Sequence, residues 1–138
     1  LDWLGGVLRG DLGESFFARE KVSTLIAQRL EPTLMLATCT IVLAVAVAVP
    51  LGTLAAWRMG GWLDRGLSLV SVLGFSVPVF VLAYALIWLL AVKLQWLPVQ
   101  GYRRLSEGFV PFARHLVLPT VTLAFVYVAL IARVTRAA

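Results

Sequence analysis

Little in this chain can carry covalent chemistry. Cys39 is its only cysteine, so no disulfide can close within it and the redox compartment is not legible. His115 is the only histidine, and no spacing of His, Cys, Asp or Glu fits a metal site. Seven acidic residues stand against 12 basic ones, and none lies within a long apolar run. A carboxylate proton relay across a membrane therefore has no material here. Gly5-Gly6 and Gly10…Gly13 follow no strand, so they do not form a phosphate loop. The chain is not expected to be an enzyme, and no cofactor or metal is expected. The basic residues flank apolar stretches and do not alternate with aromatics in a patch, so the net charge of +5 does not indicate a nucleic-acid partner.

Apolar residues make up 61% of the chain and charged residues 14%, with a mean hydropathy of +0.94. Soluble domains hold about 45–50% apolar and about 25% charged residues, so the expected solvent is a lipid bilayer. Three stretches carry no charge: Thr33 to Trp57, Gly66 to Val92 and Leu116 to Ala132. A helix needs roughly 20 apolar residues to cross a core of about 30 Å. The first two stretches suffice, and the third is completed by residues from Phe109 onward. Backbone polar groups in lipid must be satisfied within the segment, so these are helices. The expected fold is all-α: a polytopic transmembrane bundle fragment with spans at about 33–57, 66–92 and 112–133. Residues 1–31 form a non-spanning segment with short amphipathic helices, and residues 32–138 form a partial membrane domain. In 1–31, Asp2 to Arg9 reads as an interfacial helix. Glu20 to Leu30 places Val22, Leu25, Ile26 and Leu30 on one helical face. Because the chain begins at Leu1, it is expected to be a piece of a longer one, and Asp2, Asp11 and Glu14 do not suit a signal peptide.

Trp57, Trp62, Trp96 and Tyr102 stand near the span ends, where aromatic rings favour the headgroup level. Alternation puts residues 1–31 and loop 93–115 on one side. Counting Lys and Arg alone places that side in the cytoplasm, although the tight loop 58–65 is the more densely basic.

Three sets of residues stand out. Thr40, Ala44, Ala48 and Gly52 recur every four positions, a small-residue ridge that would let helices approach closely in lipid. Gly74, Ser76 and Pro78 mark a weak point in the second span, a hinge or a wall of a transport path. Proline there removes a hydrogen bond, glycine resists bending little, and the Ser76 hydroxyl is expected to serve the freed carbonyls. Arg9-Gly10-Asp11 spells a tripeptide of adhesion ligands, but nothing nearby resembles a disulfide-framed extracellular domain.

Taken in order, several pieces have a familiar look. They are "GDLGES" at 10–15, "LIAQRLEPTLMLA" at 25–37, "VPLGTLAAWRMGGWLDRG" at 49–66, "LGFSVPVFVLA" at 73–83, "WLPVQG" at 96–101, "RHLVLPTVTLAF" at 114–125 and "IARVTRAA" at 131–138. The chain resembles the permease subunits of binding-protein-dependent ABC importers of the dipeptide, oligopeptide and nickel group, over nearly its whole length. The resemblance implies a bacterial cytoplasmic-membrane permease of about six spans, of which this piece would hold the second to fourth. It implies a second permease, two ATP-binding subunits and an external substrate-binding protein as partners. It also implies that 1–31 and 93–115 lie outside and 58–65 inside, opposite to the charge count. Gly10, Asp11, Leu12 and Gly13 would then face the binding protein, and the ATPase-docking loop would begin just after residue 138. Alternative readings are a secondary transporter or channel subunit, or a membrane assembly protein without transport. The motifs do not separate peptide from nickel or glutathione substrates.

Overall fold

A computed structural model describes residues 2–138, with the side chains of all of these but Asp2, Trp3 and Phe75. Its helices are α1 (Asp2–Leu8), α2 (Val22–Trp57), α3 (Trp62–Ser76), α4 (Val79–Leu86) and α5 (Phe109–Ala137). A π-helical turn, Ile87–Lys93, continues α4, and a 3-10 turn, Leu105–Glu107, precedes α5. Among the described residues the only extended pairing is one isolated bridge, Glu14 to Lys21. The chain is thus an all-α membrane fragment. It divides into a unit ending at Met35 and a unit of Leu36–Ala138, with the boundary inside α2.

In the first unit, α1 leads into a turn set by glycine. Gly10 and Gly13 have φ of +83° and +76°, a region that side chains with a Cβ avoid. The Asp11 carboxylate accepts the Gly13 N–H at 2.9 Å, an Asx turn that explains the aspartate between the glycines. The Gly13 carbonyl then receives the Val22 N–H at 3.0 Å, and the Glu20 carbonyl receives the Ser15 N–H at 2.8 Å. These bonds close a small loop whose tip displays Phe16 and Phe17. Beyond it, Val22, Leu25, Ile26 and Leu30 line one shallow groove, as their helical spacing requires. The segment from Val22 to Leu30 is part of α2, continuous through Pro32. The separate amphipathic helix expected at 20–30 is therefore the first turns of a longer one.

In the second unit, α2 and α5 are each long and apolar enough to cross a membrane alone. The stretch expected as one span at 66–92 is broken. Helix α3 ends at Ser76 and α4 starts at Val79, with the pair bent by 100°. At about 1.5 Å per residue, the 15 residues of α3 reach about 22 Å, short of the bilayer core. The pair counts as a third crossing only when taken together.

The cause lies in Pro78. Its ring pushes the preceding residue out of helical conformation, and Val77 has φ −89° and ψ 118°. Val77 still donates its N–H to the Leu73 carbonyl at 2.9 Å, closing α3. Pro78 then caps α4, its carbonyl accepting the Val81 N–H at 2.9 Å. So this proline does not kink a helix from within. It ends one helix and begins another, where a missing N–H costs nothing.

Candidate functional site

Helix α5 is the element against which the others pack. Thr40, Ala44, Ala48 and Gly52 of α2 are all buried. Ala48 and Ala55 join Leu67 of α3 and Ala132 of α5 in one apolar cluster. A Cβ on Gly52 would lie 2.7 Å from the Ala132 carbonyl oxygen and 2.8 Å from the Thr135 Cβ. The backbones meet so closely there that only glycine fits.

Helix α3 follows α5 along its length. Leu67 shares the buried apolar cluster with Ala132, and the Ser71 hydroxyl donates to the Ala129 carbonyl at 3.3 Å. Gly74 is buried, and a Cβ added there would stand 2.7 Å from the Ala129 Cβ. Gly74 thus serves close packing, whereas its residue type had suggested bending. Ser76 is exposed, and its hydroxyl makes no hydrogen bond to a carbonyl among the described residues. Ser71, which sequence reasoning passed over, makes the carbonyl bond instead. Its only sequence signal was position: three residues before Gly74, on the same helical face.

Beyond the break, α4, residues 98–101 and the first half of α5 enclose a mostly apolar cavity of about 410 Å³. Val79, Phe80 and Ala83 contribute from α4, and Leu118, Pro119 and Thr122 from α5. Gln100, His115 and Thr122 are its polar lining residues. A carbonyl can only accept, so the 2.7 Å contact of His115 with the Pro111 carbonyl fixes the proton on Nδ1. Gly101, at φ +106°, lies against the other edge of the ring, where a Cβ would be 3.7 Å from Nε2. Thr122 is turned away from the cavity chemically, its hydroxyl donating to the Leu118 carbonyl at 2.8 Å.

The loop before α5 is held by its own charges. Arg114 donates to the Trp96 carbonyl at 2.7 Å, and Arg103 pairs with Glu107 at 2.9 Å. The Arg103 guanidinium, aided by the Arg104 N–H, holds the Glu107 carboxyl below the usual carboxylate range. Among the described residues no group of His, Cys, Asp and Glu could hold a metal ion. The arrangement can pack, bend and enclose an apolar solute or side chain.

A family described as the binding-protein-dependent transport system inner membrane component matches residues 48–138, from Ala48 of the α2 packing face to the end of α5. The chain belongs to this family. Among the described residues two helices are long and apolar enough to cross a membrane, or three with the bent pair taken as one. The chain is also 52% identical over 134 residues to a probable peptide ABC transporter permease protein, y4tP, of Sinorhizobium fredii, covering 97% of this chain and 43% of that one. It is 37% identical over 139 residues to the oligopeptide transport system permease protein AppB of Bacillus subtilis, covering 99% and 44%. A putative peptide transport system permease protein of Brucella abortus is 36% identical over 134 residues, covering 97% and 43%. The chain therefore spans less than half the length of these relatives. The match takes in the α3–α4 break, the cavity beside it and all of α5.

Proposed function

We propose that this chain is the part of an ABC importer permease that forms one wall of a path for peptides or a similar small solute. Its family membership over residues 48–138 is the observation that carries this reading. The names of y4tP and AppB support peptide as the solute class. A broken crossing beside a mostly apolar cavity is suited to a wall that must open and close, because irregular backbone at membrane depth is tolerated only where protein or a path covers it. In this reading ATP hydrolysis belongs to separate subunits. A second permease, two ATP-binding subunits and an external substrate-binding protein complete the assembly. Nucleotide binding to those subunits shifts the permease between outward- and inward-open states by its differential affinity for the two.

Residues 1–31 lie outside the membrane in this reading, with Gly10 to Gly13 toward the binding protein, and residues 32–138 form the partial permease domain. Loop 58–65 and the end of α5 lie on the cytoplasmic side. The ion pair between Asp64 and Arg136 supports placing those two segments at the same end.

The test is uptake by the full-length protein with its partner subunits in proteoliposomes. ATP-dependent accumulation of a radiolabelled oligopeptide, requiring the binding protein, is expected. Accumulation driven by an ion gradient without ATP would instead favour a secondary transporter, and no uptake under either condition would favour an assembly role.

A further inference from the structure

Asp64 is the only acidic residue between Glu31 and Glu107, and it is 5% exposed. Its two oxygens do different work. Oδ2 accepts the Gly60 N–H at 2.9 Å, which locks the Arg58–Gly61 turn, where Gly60 has φ +78°. The same oxygen receives Nη2 of Arg136 at 2.8 Å, while Oδ1 faces Nε of Arg136. One charge-assisted hydrogen bond and the facing charges tie the two helix ends together. Arg136 stands in the last turn of α5, 72 residues away in sequence. The pair is favoured by both helix ends it joins: a carboxylate in the first turn of α3 and a cation in the last turn of α5.

The rest of the α3–α5 contact runs away from this clamp toward the break. Leu67 shares an apolar cluster with Ala132, Ser71 bonds to the Ala129 carbonyl, and Gly74 abuts Ala129. Helix α3 is therefore fastened to α5 at both ends, and the first unfastened position is the extended Val77-Pro78 link. A displacement of the end of α5 cannot leave α3 behind unless the clamp parts. It reaches the next free joint at Val77-Pro78.

We propose that Asp64 and Arg136 are positioning residues that couple the end of α5 to α3, so that movement imposed at that end by the ATP-binding subunits is delivered to the α3–α4 break. This inference rests on the proposed importer function and deepens it. A pair that only stabilised the fold would affect how much complex assembles. A coupling pair also sets how much solute moves for each ATP hydrolysed.

The two are separated in proteoliposomes holding the full-length protein and its partner subunits, with uptake and ATP hydrolysis both expressed per assembled complex. Asp64→Asn keeps the oxygen that receives the Gly60 N–H and removes the charge that holds Arg136. It is expected to retain ATP hydrolysis and to lower solute moved per ATP by roughly tenfold, in the usual range of coupling between sites. Arg136→Lys keeps the charge but loses the Nη2 donor at its present position, and is expected to lie between that variant and the wild type. It also serves as the deciding variant if Asp64→Asn assembles poorly. An unchanged ratio per assembled complex in Arg136→Lys and in whatever Asp64→Asn complex forms, with losses confined to yield, would overturn the coupling role. Wild-type complex that shows no ATP-dependent uptake overturns the proposed function and this inference together, an outcome distinct from a silent variant beside an active wild type.

Discussion

At the scale of single residues, close approach matters more than residue chemistry. Gly52 and Gly66 are two helical glycines with opposite surroundings. Gly52 faces backbone and a threonine side chain at under 3 Å, while a Cβ on Gly66 meets nothing within 4 Å. Gly52→Ala is expected to destabilise the purified protein by about 1–3 kcal/mol, the usual cost of overpacking. Gly66→Ala is expected to be neutral or to stabilise by about 0.5–1 kcal/mol through the lower entropy of the unfolded chain. Thermal unfolding of the two variants in one detergent checks both signs. The same contrast holds between Ala48, fully buried, and Val47, which is 38% exposed. Ala48→Leu should lower the yield of folded protein, whereas Val47→Leu should leave it near wild type. Equal yields would mean that the Ala48 face carries no packing. The ridge residues were legible in the sequence because a period of four on a helix is a face. That Gly52 is the tightest point was not legible, because it depends on which helix lies opposite.

Individual elements show where residue type and context part company. Pro78 was readable as a helix breaker, but its effect was not. A proline inside a continuous helix costs a hydrogen bond and bends the axis moderately. Here it sits between two helices bent by 100°, and the extended Val77 makes the joint. Pro119, also within an apolar stretch, leaves α5 one helix from Phe109 to Ala137. The difference is packing: α5 is lined on several sides, with eight buried residues along it, whereas α4 has none among its described residues. Neighbours line α5 across its proline, whereas α3 and α4 each pack on α5 on their own side of the break. Pro78→Ala is accordingly expected to leave assembly intact and to slow uptake per assembled complex. It frees the joint to form helix and so biases the wall toward one state. Uptake assayed in proteoliposomes at matched complex amounts decides this. A rate per complex equal to wild type would sink the hinge, and a loss of yield in proportion to activity would mark the joint as a static bend.

For the whole molecule the open issue is sidedness. At one end of the Leu36–Ala138 unit stand Arg58, Arg65, Arg133 and Arg136 with Asp64, and in the 93–115 loop stand Lys93, Arg103, Arg104 and Arg114 with Glu107. Within this unit each end has four basic residues and one acidic residue, so the lean of the charge count comes from Arg9, Arg19, Lys21 and Arg29 of residues 1–31. Single cysteines at Glu14, Gly61 and Ser106 in the full-length protein test the orientation, with Cys39 replaced by serine. An impermeant thiol reagent on intact cells should label Glu14→Cys and Ser106→Cys and spare Gly61→Cys until the membrane is opened. The reverse pattern would restore the orientation given by the charge count.

The sequence by itself determined the medium, the secondary structure class and the family. Long uncharged runs leave helices as the only way to satisfy backbone groups in lipid. The order of short motifs from "GDLGES" to "IARVTRAA" pointed to the permeases, and the family match covers those from residue 48 onward. Local turns were also within reach, since Gly10, Asp11 and Gly13 are the residues an Asx turn with positive φ demands. Only the tertiary structure decided which contacts those helices make. Periodicity ranks the faces of one helix but does not say which face meets which neighbour. Ser71 rather than Ser76 bonds a carbonyl because α5 passes on the Ser71 side of α3. Asp64 finds Arg136 across 72 residues of sequence because two helix ends of opposite dipole sign are brought together at the same end of the packed pair. Charge and spacing along a chain are local quantities, and the distance between two helix ends is set by everything packed between them.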